Sequence, residues 1–452
     1  MNDKKKSIFS ILILSLLLSD NFKIEPIAFS HHSSNGSDWI YKNTPISIFG
    51  TGLGAYYDKK NWTVEAEYIQ FGFLGEVNED LFSFSSLQSF PYIDKSKDAD
   101  GYWTEYANAK IIYSLNNIDF EFGKFDRHWG PGNRALHISN KAPSYPQLGF
   151  KWNIANNLSL CYFHGFLNSG ILDSNRADIY NNNISQRSIN ISRNIAAHRI
   201  EWKLNNKIKL SANETVIYAT RDIDIHYLIP VVPFYPIENY LGDTDNIQMG
   251  FDASYDITMK QKIYIAFFMD ELTPEWIFNK KNHNWFAWQF GYEGNKIFFN
   301  DNIRFEYNWT DQRIYKHKYS VNNYYSHGQP LGFWAGPHAK EYLFDYYLTK
   351  GENTFSIFYS LVKRGASTEQ MVEENYNDIQ NERYENGYEK RSVIKIKINR
   401  HSKIKGLQYA LGVNQVEFIN AGFNPSEPSY SGVNSNKLSA EFGVSYNFPY
   451  PN

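Results

Sequence analysis

The sequence predicts an all-β chain: a closed antiparallel transmembrane β-barrel of about 18 strands, its lumen plugged by loops. Three observations carry that expectation. Apolar and polar residues alternate over stretches of about ten residues. The links between those stretches are alternately short and long. Aromatics make up 17% of the 452 residues (34 Tyr, 33 Phe, 11 Trp), yet mean hydropathy is −0.52. A belt that is apolar at every second residue, edged by Trp and Tyr at the two membrane interfaces, reconciles these values.

The chain opens as an export signal. Lys4, Lys5 and Lys6 precede an apolar run from Ile8 to Leu18, broken only by Ser10 and Ser15. That run is too short to span a membrane as a helix. Ala28-Phe29-Ser30 offers small residues at the two critical cleavage positions. The expected division is therefore a signal peptide at 1–30, a lead-in at 31–45 and a single barrel domain at 46–452. No later stretch approaches ~18 uninterrupted apolar residues, so no helical span is expected. Cys161 is the single cysteine, which excludes an intramolecular disulfide. With 45 basic and 48 acidic residues the net charge is −3, which gives no electrostatic case for nucleic acid.

The alternation is explicit in several strands. In 246–258, Ile247, Met249, Phe251, Ala253, Tyr255 and Ile257 share one face, opposite Gln248, Gly250, Asp252, Ser254 and Asp256. In 438–448, Leu438, Ala440, Phe442, Val444, Tyr446 and Phe448 oppose Ser439, Glu441, Gly443, Ser445 and Asn447. Ile303, Phe305, Tyr307 and Trp309 oppose Arg304, Glu306 and Asn308. One apolar and one charged face describe a strand between lipid and a wet interior.

Short Asn/Asp/Gly links such as Asn116-Asn117 and Asn156-Asn157 have hairpin chemistry. Long links fall near 126–147, 167–196, 219–245, 310–340 and 363–390. About seventeen strands are countable, whereas single-chain bacterial barrels have even numbers. A further strand at Leu81–Phe90 is the expected repair, with one inside 31–44 as the other candidate.

Three loop motifs stand out. The first is Arg127-His128-Trp129-Gly130-Pro131-Gly132-Asn133-Arg134, followed by Ser139-Asn140-Lys141-Ala142-Pro143. The second runs from Gly242-Asp243-Thr244-Asp245 to Asp270-Glu271. The third is Tyr325-Ser326-His327-Gly328-Gln329-Pro330-Leu331-Gly332 with Gly336-Pro337 and Glu341. Together they resemble the Wzi-type capsule assembly family, with Lys141 standing where that family usually has Asn. The resemblance implies a monomeric outer-membrane surface lectin that binds and anchors secreted capsular or extracellular polysaccharide. A porin-like channel is the alternative left open by a polar lumen.

The residues suggest chemistry of their own. A flat ring covers sugar C–H groups, while planar multi-donor side chains hold hydroxyls and acids. Trp129 with Arg127, His128, Asn133 and Arg134 has that composition, and Trp334 offers a second platform. Trp129 has two roles open to it, ligand contact or packing of the loop. Gly130, Pro131 and Gly132, like Ser139, Asn140, Pro143, Pro330, Leu331, Gly332, Gly336 and Pro337, read as loop scaffold. Asp243, Asp245 and Asp270 read as polar groups at the lumen or mouth. Neither a calcium loop nor metal-ligand histidine spacing is present. No nucleophile elbow or phosphate- or dinucleotide-binding fingerprint occurs. The expectation is a non-enzyme without metal or cofactor, with polysaccharide and outer-membrane lipid as partners.

Overall fold

The computed structural model describes residues 21–76, 84–95, 101–176, 178–184, 186–187, 189–270, 283–428 and 432–447. The first barrel strands are β1 Phe22–Ser33, β2 Ile46–Lys59, β3 Trp62–Leu74, β4 Gly101–Leu115, β5 Ile118–Phe125 and β6 Tyr145–Ala155. Then come β7 Leu158–Leu172, β8 Asn190–Lys203, β9 Ile208–Ala219, β10 Asn246–Thr258, β11 Gln261–Met269 and β12 Phe286–Asn295. The last six are β13 Asp301–Thr310, β14 Ala339–Lys350, β15 Asn353–Gly365, β16 Tyr388–His401, β17 Leu407–Ile419 and β18 Ser435–Tyr446. Each pairs antiparallel with the next, and β1 closes on β18 from Ala28↔Tyr446 to Ser33↔Glu441. The fold is thus a closed 18-strand antiparallel barrel. A two-residue strand, Asp94–Lys95, adds to the outer end of β4.

Burial on these strands is inverted relative to a soluble sheet. Along β18, Leu438 and Phe442 are 62% and 48% exposed, while Ser439 and Glu441 are 1% and 5% exposed. In water this would be costly, because the leucine would be solvated and the glutamate desolvated. In a bilayer the same pattern places apolar side chains in lipid and polar ones against the interior.

Links of two to five residues join alternate strands at 60–61, 116–117, 156–157, 204–207, 259–260, 296–300, 351–352 and 402–406. Lys60 and Asn116 take positive φ there, 59° and 54°, as tight hairpins require. Every long connection lies at the other end, which is the extracellular end of such a barrel.

The eighteenth strand is not at Leu81–Phe90, and it reaches only the first three residues of the other expected place, 31–44. Residues 84–90 form turns and irregular chain, and 81–83 lie outside the described residues. The extra strand is β1, which occupies part of the expected signal peptide and lead-in. The expected cleavage after Ser30 falls inside it, and the barrel begins at Phe22 instead of 46. Pro26 hides this strand in the sequence, because proline cannot donate to a sheet ladder. It is tolerated outside the stretch that pairs with β18.

Two outer connections, 126–144 and 311–338, turn back against the inward faces of the strands. The Tyr315 and Tyr324 hydroxyls donate to the Leu136 and His137 carbonyls at 2.8 and 2.9 Å. Leu136, Tyr315, Tyr324 and Phe333 are completely buried, in one cluster with Phe163 and Phe268 of the barrel wall. The acidic run Glu373–Glu389 lies within the long 363–390 link and is partly ordered. Its start is the second half of a helix, Glu369–Tyr376, capped by Thr368 accepting from Met371 N–H at 3.1 Å. Glu389 is buried against Arg364.

Candidate functional site

The first motif forms a hairpin that reaches mid-barrel depth. Glu306, midway along β13, accepts from the backbone N–H groups of Asn133 (2.7 Å) and Arg134 (3.1 Å) and from the Tyr264 hydroxyl (2.8 Å). A Cβ at Gly132 would stand 2.6 Å from a Glu306 carboxylate oxygen and 2.8 Å from the Tyr264 ring, so a larger residue there would displace both side chains. The His128 ring donates to the Gly132 carbonyl at 2.8 Å and closes the turn. Arg127 donates to Glu121 at 2.7 Å and to Gln147 at 2.8 Å, and lies over the Phe163 ring at 4.5 Å.

Trp129 is 6% exposed, edge-to-face with Phe163 at 5.3 Å, and its backbone N–H donates to Ile138 at 2.9 Å. Its ring therefore packs the loop, and its faces are covered. Of the predicted sugar-binding group only His128 and Asn133 are exposed.

The third motif locks onto this hairpin. Ser139 donates through its N–H to Leu331 (2.7 Å) and through its hydroxyl to Gly332 (2.5 Å). A Cβ at Gly332 would lie 2.3 Å from the Leu136 carbonyl oxygen, so this glycine permits the close approach of the two loops. Lys141 is buried and donates to Ser89 (3.0 Å) and to the Leu87 carbonyl (3.2 Å), joining the hairpin to a third loop. Asn140 is exposed, whereas Pro330, Leu331, Gly336 and Pro337 are buried. Trp334 is 3% exposed and donates from its indole N–H to Glu341 at 2.8 Å. The same carboxylate takes Arg134 at 3.3 Å and the Ser360 hydroxyl at 2.7 Å. Trp334 is thus held in place by this carboxylate, and it also lines a cavity among the outer loops.

The aspartates do not converge. Asp245 is buried and bridged by both terminal nitrogens of Arg221 (2.8 and 2.6 Å), with the Tyr227 hydroxyl at 2.6 Å. Asp243 is exposed and pairs with Lys318 at 2.6 Å. Asp270 accepts from Gln248 at 3.1 Å and from the Tyr315 N–H, which ties the 311–338 loop to β11. Glu271 lies outside the described residues. Among the described residues, no group of His, Cys, Asp and Glu is arranged to hold a metal.

An open site exists elsewhere, among the outer loops. A cavity of about 300 Å³ is lined by Trp39 and Tyr41 of the first loop, Phe84, Lys316, Tyr325, Gln329, Arg364, Phe423 and Asn424. Three of its lining residues, Phe84, Trp334 and Arg364, belong to a cation–aromatic stack with buried Arg391. Arg364 lies 4.5 Å over the Phe84 ring, and Arg391 lies 5.3 Å from Phe84 and 5.0 Å from Trp334. Tyr41 and Tyr325 are half-buried, presenting part of each ring. Lys316 is 7% exposed, and burial holds its ammonium below the ordinary lysine value. His338 pins the neighbouring loop. It donates to the Ala366 carbonyl at 2.5 Å and accepts the Tyr384 N–H at 2.9 Å, with burial pushing its imidazole down to about 4.

Sequence reasoning reached this cavity only through Trp334 and the third motif, in which Tyr325 was given no binding role; it missed Tyr41 and Phe84, which lie in two other loops. It also missed Glu306 as the hairpin's anchor. The available signal was a carboxylate on the inward face of a strand, where a charge must find partners.

Residues 76–420 match the family model described as capsule assembly protein Wzi. No curated protein matches the sequence. Among solved structures the barrel resembles an Escherichia coli protein, Wzi, described as an outer-membrane protein involved in group 1 capsule assembly and a carbohydrate-binding β-barrel. The TM-score is 0.57 at 14% identity, covering 97% of this chain and 86% of that one. Acinetobacter baumannii OccAB2 aligns with TM-score 0.49 at 10% identity, over 94% and 98% of the two chains. Pseudomonas aeruginosa OprD aligns with TM-score 0.46 at 10% identity, over 94% and 95%. Likeness at these identities is one of fold.

Proposed function

The chain belongs to the Wzi capsule assembly family, and from that premise we propose that it holds secreted polysaccharide at the cell surface through the outer-loop cavity. The observation that carries this reading is the cavity's make-up. Partly open tyrosine rings stand beside Lys316 and Gln329 in a recess of about 300 Å³, a size suited to a few sugar units. Rings cover sugar C–H faces, amides take hydroxyls, and a lysine favours uronic acid or phosphate substituents. The E. coli protein of the same fold is described as carbohydrate binding, which supports the reading.

Deleting the gene tests it. The expected result is unchanged polymer synthesis with more polymer shed into the medium; equal retention by mutant and parent cells would overturn it. Bilayer recordings bear on the channel alternative. The 126–144 and 311–338 loops packed against the wall lead us to expect no large steady current. Sustained open-channel conductance would count against a purely binding role.

A further inference from the structure

A row of lysines lies on the outward faces of three adjacent strands. Lys340 of β14 is directly opposite Lys363 of β15, which is directly opposite Lys390 of β16. On β15 and β16 these positions alternate with buried Val362, Arg364, Glu389 and Arg391, so the lysines face away from the lumen. Lys340 is the second residue of a strand that begins at the extracellular end. The row also continues an aromatic one: Lys340 faces Trp309, and Trp309 faces Trp288. Tryptophans at this height mark the membrane interface. The lysines therefore stand at headgroup level in the outer leaflet.

Like charges directly opposite one another destabilise a sheet, and the protein supplies little to offset them. Among the described residues, Lys390 has Glu417 at 3.9 Å, while Lys340 and Lys363 form no ion pair with a carboxylate. Arg383 adds a fourth cation, 4.8 Å over the Trp309 ring and bonded to the Thr310 (2.9 Å) and Ala339 (3.0 Å) carbonyls. The Lys363 ammonium rests 3.5 Å over Tyr388 and 3.9 Å over Tyr384, which fixes it at this level. Four cations against one carboxylate, turned toward lipid, call for an anion from the membrane.

We infer that this row binds the headgroup phosphate of a phosphorylated glycolipid of the outer leaflet. Adjacent strands are about 4.8 Å apart, so one phosphate can be shared between two ammonium groups. The acyl chains would lie along the apolar wall below, where Tyr342, Ile357 and Ile394 are exposed.

Native mass spectrometry of the purified full chain in detergent, titrated with lipid A bearing two phosphates, tests this. The parent protein should retain the lipid, and K340Q/K363Q/K390Q should lose at least about tenfold in affinity. Lipid A stripped of phosphate should bind neither protein. Equal binding by parent and triple variant, or equal binding of the dephosphorylated lipid, overturns the site. Displacement of the lipid by equimolar inorganic phosphate overturns the lipid assignment in favour of a simple anion site. Should the triple variant fail to fold, K340Q and K390Q serve singly, and parental affinity in both overturns the proposal.

Discussion

The mid-barrel hairpin and the outer cavity are built from the same kinds of residue, tryptophan or tyrosine beside arginine or lysine, yet they do opposite things. In the hairpin the hydrogen-bonding capacity is used up internally. Glu306 takes two backbone N–H groups, Glu341 takes Arg134 and Trp334, and Glu121 takes Arg127. In the cavity two tyrosine rings keep part of their surface open, and a buried lysine faces about 300 Å³ of space. Composition alone does not distinguish a scaffold from a site. What distinguishes them is whether the donors and ring faces already have partners.

The largest effect that can break this contrast is at Trp129. Trp129→Ala removes a buried ring and should cost about 3–5 kcal/mol of barrel stability, read by heat-modifiable gel mobility and denaturant unfolding. Glycan affinity of the folded fraction should be unchanged. Lost affinity with unchanged stability would make the hairpin the ligand site.

Glu306→Gln comes next. An amide can accept through only one atom and turns an NH2 group toward the Asn133–Arg134 donors, so a loss of about 2–3 kcal/mol is expected. Parental stability would mean that Glu306 does not anchor the turn.

A pH effect of up to about 3 kcal/mol should arise beside the cavity at His338, whose value is lowered to about 4 from the ordinary 6.5. Its stabilisation is present above pH 6.5 and is lost as pH falls through about 4. Protonation then removes the acceptor for the Tyr384 N–H. Hydrogen exchange in 366–387 should quicken over that window, and His338→Asn should flatten the response. An identical pH response in that variant would assign the effect to other groups.

The smallest effect is on binding. Tyr41→Ala should weaken glycan binding about tenfold, near 1.4 kcal/mol, with little change in unfolding. Unchanged affinity, measured by calorimetry with the strain's own polysaccharide, would remove Tyr41 from the site and blur the contrast.

The barrel was legible because its evidence is local and repeated: each strand carries its own alternation and each turn its own chemistry. β1 was not, since Pro26 breaks the pattern and the strand follows closely on the apolar run Ile8 to Leu18. The motif Gly132 and Gly332 were readable as loop scaffold from sequence. The reason for each lies far along the chain, at Glu306 and Leu136 respectively. The fate of Trp129 was unreadable for the same reason, because Phe163, which covers its ring, belongs to a different strand. The cavity was largely hidden, since apart from the third motif and Trp334 it is assembled from segments that meet only when the barrel closes.

That closure has a consequence for how the chain is made. Ser33 pairs with Glu441, so the first strand finds its second neighbour only in the last one. Until Ser435–Tyr446 docks, an incomplete sheet has an open edge on Phe22–Ser33 and another on the last strand to have joined. Exposed edges recruit foreign strands, and pairing over such a separation is slow. A copy truncated before β18 would be a template for aggregation, not a slightly smaller barrel, and the six pairs of the seam are the step that ends this vulnerability.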